Sequence, residues 1–370
     1  MEIHVRKGWL VLVAAGAIVL AVLASRECSS RREGSTTAAS AQDERGPSAT
    51  RMPNDPSLKA RPGPLTSSGQ QGAGRAPGAA STGNLVIFSA WGSDKNQLGR
   101  ERPVEGNPEG PMSFTLDPEG RVLVLDQVNG RVVRYGVDGK PESTVPIKLG
   151  VPQDIAIGKG GSMAVLDRLS SKVVAIYDEG GALRCQIPLE GEGVPEGGLV
   201  TGLFIDKDDV YVEREHGPLV RIGDVEGRPA DVRSEMPGRP SRDGLSFLKA
   251  GISDPGAGRV YVASTDRATN AHRFTRELRA GMPVHAIVLL DTDRKGTIYL
   301  AITVEPAPET EAVLLYCLEP SKGAPVGKAE LPANTLPEET FRDMVVLDEG
   351  GVLYSLRSES GVSYERYTCQ

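Results

Sequence analysis

The amino-acid sequence predicts an all-β fold assembled from similar units of four strands. Two stretches, RVLVLDQVNGRVVRYGVDGK (121–140) and SMAVLDRLSSKVVAIYDEGG (162–181), share an apolar segment ending in Leu-Asp, a polar turn, a basic residue and a second alternating segment. Alternation with a period of two is typical of strands, and the 41-residue offset between the stretches is typical of β-propeller blades. The 44 Gly and 27 Pro residues supply the turns.

The repeat can be followed along the chain. A turn followed by apolar alternation recurs six times, in DPEGRVLVLD (117–126), GKGGSMAVLD (158–167), DKDDVYVER (206–214), DPGAGRVYVAS (254–264), TDRKGTIYLAIT (292–303) and DEGGVLYSLR (348–357). Each is preceded by an apolar segment that we assign to an innermost strand: FTL, DIAI, GLFI, FLKAGI, HAIVLL and MVVL. Six such units predict six four-stranded blades.

The best-defined unit, residues 111–140, has a recognisable order of residues. Pro, an apolar strand, Asp-Pro-x-Gly, a strand ending in Asp, an Arg before the next strand and Asp-x-x-Gly-Lys follow one another. This order resembles the NHL repeat; the second unit matches it fairly well, and the later units keep only the rhythm of strands. The resemblance implies a six-bladed β-propeller, a scaffold that mostly binds proteins or polymers and in a minority of cases is an enzyme.

The two ends of the repeat region predict how the ring closes. The last unit has strands at MVVL (344–347), VLYSLR (352–357) and SYERYTC (363–369), and then the chain ends one strand short. LVIFSA (85–90) is a spare strand at the front. We expect it to be the outermost strand of the sixth blade, because closure removes a permanent sheet edge.

The residues before the repeats predict a membrane anchor and a linker. Gly8–Ala24 are all apolar or Gly and follow Arg6 and Lys7, which indicates a signal anchor, or a signal peptide, at 1–24. Residues 25–83 are rich in Ser, Gly, Ala, Pro and Arg and predict a disordered linker, so the propeller spans 84–370. We expect a membrane-anchored chain with its propeller on the extracytoplasmic side, in the periplasm or at the cell surface.

Charge and cysteine content restrict the partners. Residues 84–370 carry 32 Lys and Arg against 43 Asp and Glu, an acidic balance that argues against binding to nucleic acid. We expect cell-envelope proteins as partners, and contact with the membrane through the N-terminal segment. There is no CxxC motif or Cys/His cluster, and Cys317 and Cys369 fall in comparable strands of neighbouring repeats, so buried free thiols are expected. Asp126 with Arg131, and Asp167 with Lys172, flank hairpin turns, and each is expected to fix its turn by a structural ion pair or by a turn hydrogen bond.

An acid or a histidine occurs near the start of every predicted innermost strand, where a propeller lines the mouth of its central channel. If their side chains converge, they form a ring able to bind a divalent cation or a basic residue of a partner. No other cofactor is expected. The six channel-mouth candidates are Glu109, Asp154, Glu196, Asp243, His285 and Asp343.

Two insertions lengthen the array, at about residues 223–244 and 264–282. The second combines basic and aromatic side chains on an otherwise acidic domain, which is the kind of loop that carries binding on a rigid scaffold. An elongated hairpin with solvated charges is the alternative interpretation. The binding-loop candidates are Arg267, His272, Arg273, Phe274 and Arg276.

These observations favour a non-catalytic protein-binding or scaffold module of a cell-envelope assembly. One alternative is a lactonase-like, metal-dependent hydrolase or lyase with its site at the channel mouth, although no HxH, HExxH or GxSxG motif occurs. The other is a binder of envelope polysaccharide, for which the few aromatic residues provide little stacking surface. No catalytic residue is assigned.

Overall fold

A computed structural model describes residues 83–370, which fold into six antiparallel sheets of four strands each. The predicted six-bladed β-propeller is therefore confirmed. The predicted anchor at 1–24 and all but the last residue of the predicted linker lie outside the described residues. Within residues 83–370 the structure contains no helix long and apolar enough to cross a membrane.

The strands follow one another blade by blade. Blade 1 contains β2 (Ser113–Leu116), β3 (Val122–Asp126), β4 (Arg131–Tyr135) and β5 (Pro141–Pro146), and blade 2 contains β6 (Asp154–Ile157), β7 (Met163–Asp167), β8 (Val173–Tyr177) and β9 (Leu183–Pro188). A 3-10 helix (Gly197–Leu199) leads into blade 3, which contains β10 (Val200–Asp206), β11 (Asp209–Arg214), β12 (Leu219–Asp224) and β13 (Glu235–Met236).

The second half of the ring continues in the same way. Blade 4 contains β14 (Arg239–Pro240), β15 (Ser246–Asp254), β16 (Arg259–Asp266) and β17 (His272–Arg279), and blade 5 contains β18 (Val284–Thr292), β19 (Ile298–Val304), β20 (Ala312–Leu318) and β21 (Pro325–Pro332). Blade 6 contains β22 (Met344–Val346), β23 (Val352–Ser358), β24 (Gly361–Tyr367) and, from the front of the chain, β1 (Asn84–Ala90).

The ring closes as the sequence predicts. The sheet order of blade 6 is β1-β24-β23-β22, and β1 pairs antiparallel with β24, from Asn84 opposite Arg366 to Ala90 opposite Gly361. Ile87 of β1 is 1% exposed and packs with Val362 and Tyr364 of β24. The first and last parts of the folded domain are therefore joined within one sheet.

The first strands of blades 5, 6, 1, 2 and 3 contact one another in turn, and in blade 4 the second strand, β15, contacts β18, so these strands surround the axis of the ring. The first strands begin on one face, which we call the upper face. The turns between second and third strands lie there too, since the fourth strand ends beside them: Ile147 N–H bonds to Gly130 O in blade 1, and Leu189 N–H bonds to Lys172 O in blade 2. Residues at the starts of first strands can therefore contact the turns between the second and third strands of neighbouring blades.

The core lies between the blades rather than inside any one of them. Strands such as β3, β7 and β20 are buried along their whole length, because each sheet packs a neighbour against both of its faces. Separate apolar clusters join blade 2 to blade 3, blade 4 to blade 5, and blade 6 to blade 1. Each fully buried Val or Leu in these layers contributes roughly 1.5–3 kcal/mol to folding, so the packing of adjacent blades accounts for most of the stability.

The assignment of strands in blade 4 needs a correction. The segment FLKAGI, expected as the innermost strand, lies in β15, the second strand of the sheet. The first strand is β14, which contributes only Arg239 and Pro240, paired with Leu248 and Phe247. The predicted insertion at 223–244 supplies β13 and β14, so it completes blade 3 and starts blade 4.

Aspartates organise several turns. Asp117 accepts hydrogen bonds from the backbone N–H of Glu119 and Arg121 and binds the Arg121 guanidinium at 2.7 Å. The turn at Asp224 repeats this geometry with the backbone N–H of Glu226 and Arg228 and with the Arg228 side chain. Such side-chain to backbone bonds hold a tight turn and explain why the Asp-x-x-Gly pattern recurs.

Both predicted aspartates fix their turns, Asp126 by an ion pair and Asp167 by a turn hydrogen bond. Arg131 Nε lies 2.9 Å from Asp126 Oδ2, and the same carboxylate accepts the N–H of Gly99. Asp167 instead accepts the backbone N–H groups of Val151 and Ser170. Lys172 pairs with Glu190 at 2.8 Å, so in this turn the ion-pair alternative is wrong and the hydrogen-bond alternative is correct.

The expectation of free thiols at Cys317 and Cys369 is also wrong, because the two residues form a disulfide across blades 5 and 6. Their Cα atoms are 6.2 Å apart, within the usual range for a bridge. The chain after β24 crosses to β21, where Lys328 N–H donates to Gln370 O, and Gly327 leaves room for Cys369, since a Cβ at this glycine would lie 2.7 Å from the Cys369 Cβ. Cys185 is buried and donates its S–H to Gly227 O.

Deletion of residues 84–90 from the full chain should open the ring. The expected loss is at least about 3 kcal/mol of unfolding free energy, because Ile87 and the β24 pairing are removed together. Urea denaturation measures it, with a chain lacking residues 1–82 as the control. Equal unfolding free energies of the variant without residues 84–90 and the variant without residues 1–82 would contradict closure of the ring by β1.

The Cys317→Ser, Cys369→Ser double variant should be less stable than the wild type by about 2–4 kcal/mol, because the bridge restricts a long loop of the unfolded chain. Denaturation curves with and without a reductant measure this difference. The wild type should lose the same amount on reduction, while the double variant should not respond. A reductant effect of equal size on both proteins would refute the assignment.

Candidate functional site

Two neighbouring cavities open at the axis of the propeller. The larger, about 360 Å³, lies between the turn after β11, the second strand of blade 4 and the start of β18, and we call it the blade-4 groove. The smaller, about 240 Å³, lies among the first strands of blades 2, 3, 5 and 6, and we call it the axial cavity. Arg239, His216, Ile287 and Leu290 line both, so these side chains separate one cavity from the other.

Arg239 is held between the cavities by a bidentate ion pair. Its Nε lies 2.7 Å from Glu213 Oε1 and its Nη2 lies 2.9 Å from Glu213 Oε2, while Nη1 donates to Leu290 O at 3.1 Å. Glu213 is 2% exposed. Burial opposes its ionisation, but the neighbouring His216 side chain and the charge of Arg239 outweigh burial and lower the pKa of Glu213 to about 2.

A second ion pair stands across the axis. Arg342 Nη2 lies 2.7 Å from Asp154 Oδ2 and 2.9 Å from Leu203 O, and Asp154 also accepts the Leu203 N–H. The ring of Phe204 lies between the two arginines, with its centroid 5.2 Å from Arg239 Cζ and 5.4 Å from Arg342 Cζ. Guanidinium groups on an aromatic ring add cation–π attraction. Blades 2, 3, 4 and 6 are thus tied together at the centre.

His216 is positioned at the mouth of the groove by an unusual turn. Glu215 and His216 both have positive φ, 50° and 55°, and are the central residues of the turn from Arg214 to Gly217 between β11 and β12. Asn and Gly are the residues that usually fill such turns, so this pair costs on the order of 1 kcal/mol or more. The His216 N–H donates to Thr201 Oγ1, and its Nδ1 lies 3.7 Å from Glu213 Oε2.

The six channel-mouth candidates do not form one ring. Asp154 and Asp343 line the axial cavity, whereas His285 lines the blade-4 groove and pairs with Glu305 at 3.4 Å. Glu109 accepts a hydrogen bond from Gln127, and Glu196 is exposed before the 3-10 helix. No group of three or more His, Cys, Asp or Glu side chains suited to a metal ion occurs among residues 83–370.

Asp243 was placed wrongly. It lies in the turn that follows β14, where it accepts the N–H of Leu245, and so it sits at the far end of a first strand instead of at the start. The error follows directly from the shifted assignment in blade 4. The residue at the start of that first strand is Arg239, a cation where the pattern predicted an acid.

Most of the binding-loop candidates belong to the scaffold. Residues 264–282 form the end of β16 and the whole of β17, so the hairpin alternative is correct. Arg267 pairs with Asp206 and covers Phe247, Phe274 is 9% exposed in the layer between blades 4 and 5, and Arg276 bonds to Lys322 O. His272 and Arg273 are the exposed members of the set.

Three residues that organise the site were missed in the sequence: Arg239, Glu213 and Arg342. Glu213 ends the strand segment VYVER, and Arg342 precedes MVVL. A charged residue at the end of an apolar strand was the available signal. Arg239 lies in a Pro- and Gly-rich stretch with no alternation, so no pattern marked it as part of a strand.

Comparison with known proteins shows likeness of fold alone. No protein-family model matches the sequence, and no match to a curated protein was found. Hydrazine synthase of Kuenenia stuttgartiensis is 17% identical with a TM-score of 0.47, over 69% of this chain and 76% of that one. A chain of a mitotic checkpoint complex is 13% identical with a TM-score of 0.46, over 84% and 100%. Virginiamycin B lyase from Staphylococcus aureus is 11% identical with a TM-score of 0.38, over 70% and 94%.

Protonation of Asp343 makes the unfolding free energy of the domain depend on pH. Burial raises the pKa of Asp343 to about 6, although the Arg357 charge acts in the opposite direction. The folded state therefore holds this proton more tightly than the unfolded state, and the resulting stabilisation is present at about pH 4 and is lost as the pH rises through about 6.

Replacement of Asp343 by Asn removes this loss. The unfolding free energy of Asp343→Asn should match that of the wild type near about pH 4 and exceed it by about 1–2 kcal/mol at about pH 7.5, after allowance for partial exposure. Urea denaturation across this pH range measures the difference. Asp231→Asn, at an exposed loop position, is the matched control. Parallel curves for Asp343→Asn and the wild type would show that this carboxyl does not titrate as described.

Proposed function

We propose that this chain is a non-catalytic protein-binding module that holds a partner in the blade-4 groove, as part of a membrane-tethered assembly on the extracytoplasmic side of a cell envelope. The observation that carries the proposal is the groove itself. It is open on the upper face, and it lies directly beside the axis, where ion pairs and the Phe204 ring join the blades.

The walls of the groove differ in a way that suits recognition of a polypeptide. Ala250, Ile252 and Ile287 form an apolar wall that is continuous with the core between blades 4 and 5. Lys249 and His216 are exposed on the opposite wall. Apolar contact area with a few polar groups beside it is the usual composition of a recognition site.

The buried ion pairs at the axis keep the shape of the groove constant. Glu213 and Asp154 are each buried and each carry an arginine partner plus backbone or hydroxyl hydrogen bonds. Such pairs give a rigid floor, because moving either partner would leave a buried charge uncompensated. A rigid floor keeps the two groove walls at a constant separation.

Two features support the cellular location. The apolar run Gly8–Ala24 after two basic residues favours a signal anchor, and the linker that follows allows the propeller to stand clear of a membrane. The Cys317–Cys369 disulfide suits an oxidising compartment such as the periplasm or the cell surface. The acidic balance of residues 84–370 favours protein over nucleic acid as the partner.

Photo-crosslinking in native membranes tests the proposal. A photoreactive amino acid at Lys249 of the full chain should give one discrete adduct with a protein, because this side chain lies in the groove wall. The matched control is the same substitution at Lys159, which is also exposed but lies in the first turn of blade 2 on the opposite face.

A groove-filling substitution makes the test specific. Ala286→Trp, at an exposed position of β18 in the groove, should reduce the Lys249 adduct by about tenfold or more, while Ala182→Trp in an exposed turn of blade 2 should leave it unchanged. Equal adducts from Lys249 and Lys159, or an adduct insensitive to Ala286→Trp, would refute the groove as the binding site.

A further inference from the structure

Blade 4 has an incomplete first strand. Between blades, the chain must return from the outer fourth strand to the inner first strand of the next blade. That connection spans 147–153 in one case and 91–112 in another, but Pro237 and Gly238 alone separate β13 from β14. After this short connection β14 consists of two residues and pairs with β15 only at Leu248 and Phe247.

The upper half of β15 therefore has an open inner edge. Residues of an antiparallel strand direct their N–H and C=O groups alternately to the two neighbouring strands. Ser241 N–H donates to Ser246 O, so the backbone groups of Ser246 point towards β14. Every second residue along β15, at Leu248, Ala250 and Ile252, directs its N–H and C=O groups to the same side. Within residues 83–370, no backbone partner meets the inner-edge groups of Ala250 and Ile252.

Blade 6 shows how the protein closes an edge of this kind. Its first strand, β22, is also short, and β23 extends beyond it. There the Asn334 side chain takes the place of a peptide group: its Nδ2 donates to Ser355 O at 3.0 Å, and its Oδ1 accepts the Arg357 N–H at 2.9 Å. Among residues 83–370 no side chain caps Ala250 or Ile252 in this way, and both residues line the blade-4 groove.

We propose that the blade-4 groove takes an extended peptide segment of a partner protein, added as a strand along Ala250 and Ile252, with apolar and acidic side chains in alternation. This inference rests on the proposed function and names the mode of binding. The segment occupies the upper part of the missing first strand. Its backbone supplies the N–H and C=O groups that the open edge lacks.

The alternation follows from the two faces of β15. Leu248, Ala250 and Ile252 pack with the cluster between blades 4 and 5, so peptide residues on that face meet Ile287 and require apolar side chains. Phe247, on the other face, packs with Tyr211 and Met236 of blade 3, and Lys249 follows it there. Side chains on one face of neighbouring strands pair with each other, so the residue opposite Lys249 should carry a carboxylate.

Charge in the groove favours the same partner. Glu213 is neutralised by Arg239, and His285 lies beside Glu305. Lys249 is exposed at the groove wall. The groove thus presents a cation in a domain whose balance is acidic overall, 32 Lys and Arg against 43 Asp and Glu in residues 84–370. This local charge selects for an acidic segment and against a basic one.

Model peptides test the proposal on the full chain in lipid nanodiscs. The probe is dye-labelled Val-Glu-Val-Glu-Val, compared with Val-Lys-Val-Lys-Val, and fluorescence anisotropy measures their affinities. The wild type should prefer the glutamate peptide by about tenfold. Lys249→Glu should reverse the preference, while the matched control Lys159→Glu on the lower face should keep it.

Two further measurements distinguish strand addition from other binding in the groove. N-methylation of the peptide backbone, which removes its N–H donors, should weaken binding by about tenfold or more. Hydrogen–deuterium exchange should slow in residues 249–253 when the peptide binds. Unchanged affinity of the methylated peptide, or unchanged exchange at 249–253, would overturn strand addition.

The outcomes separate this inference from the proposed function. If neither peptide binds while the Lys249 crosslink persists and responds to Ala286→Trp, the groove holds a folded surface, and strand addition is wrong. If the crosslink is absent as well, the proposed function fails. If residues 249–253 are already protected in the full chain and lose this protection when residues 1–82 are removed, the chain's own N-terminal segment fills the groove and the partner proposal is overturned.

Discussion

The structure depends on one constraint: each four-stranded sheet is apolar on both faces and has to pack between two others. Strands such as β3 and β20 expose none of their residues, so an isolated blade would present both faces to water. A closed ring is the arrangement that gives every sheet two neighbours. This explains why β1 is taken from the front of the chain to complete blade 6, and why the disulfide at Cys317 and Cys369 joins the last blade to the fifth.

The same constraint does not fix the segments that connect one blade to the next. The open edge of blade 4 arises from one of these segments. The layers between blades require fixed strand positions, but the chain that passes from one blade to the next does not contribute to them equally. After β1 it forms a long excursion, whereas between β13 and β14 it is reduced to Pro237 and Gly238. With this short connection the first strand of blade 4 has only two paired residues. Phe247 and Leu248 of the second strand nevertheless remain in the packed layers between blades. An open edge can therefore form at little cost to the ring.

How far the sequence predicted the structure follows from which interactions are local. Period-two alternation and Asp-x-x-Gly turns depend on residues close in sequence, so the blades and the Asp126–Arg131 pair could be predicted. The Cys317–Cys369 bridge depends on the path of the chain after β24, which no local pattern encodes. Blade 4 was misassigned because a two-residue strand has no period, and the ion pairs of Arg239 and Arg342 join blades whose order around the axis had to be known first.

Open sheet edges are hazardous, because they pair readily with other chains, so a retained edge calls for an explanation. In blade 6 the edge is closed by the Asn334 carboxamide, which shows that a single side chain is sufficient. Blade 4 keeps its edge and places Lys249 beside it, and a lysine at an edge opposes association with a second apolar strand through its charge and hydration. The same lysine attracts a strand that carries a carboxylate opposite it. One side chain thus discourages unspecific pairing and permits a selected partner, which is the combination that specificity by strand addition requires.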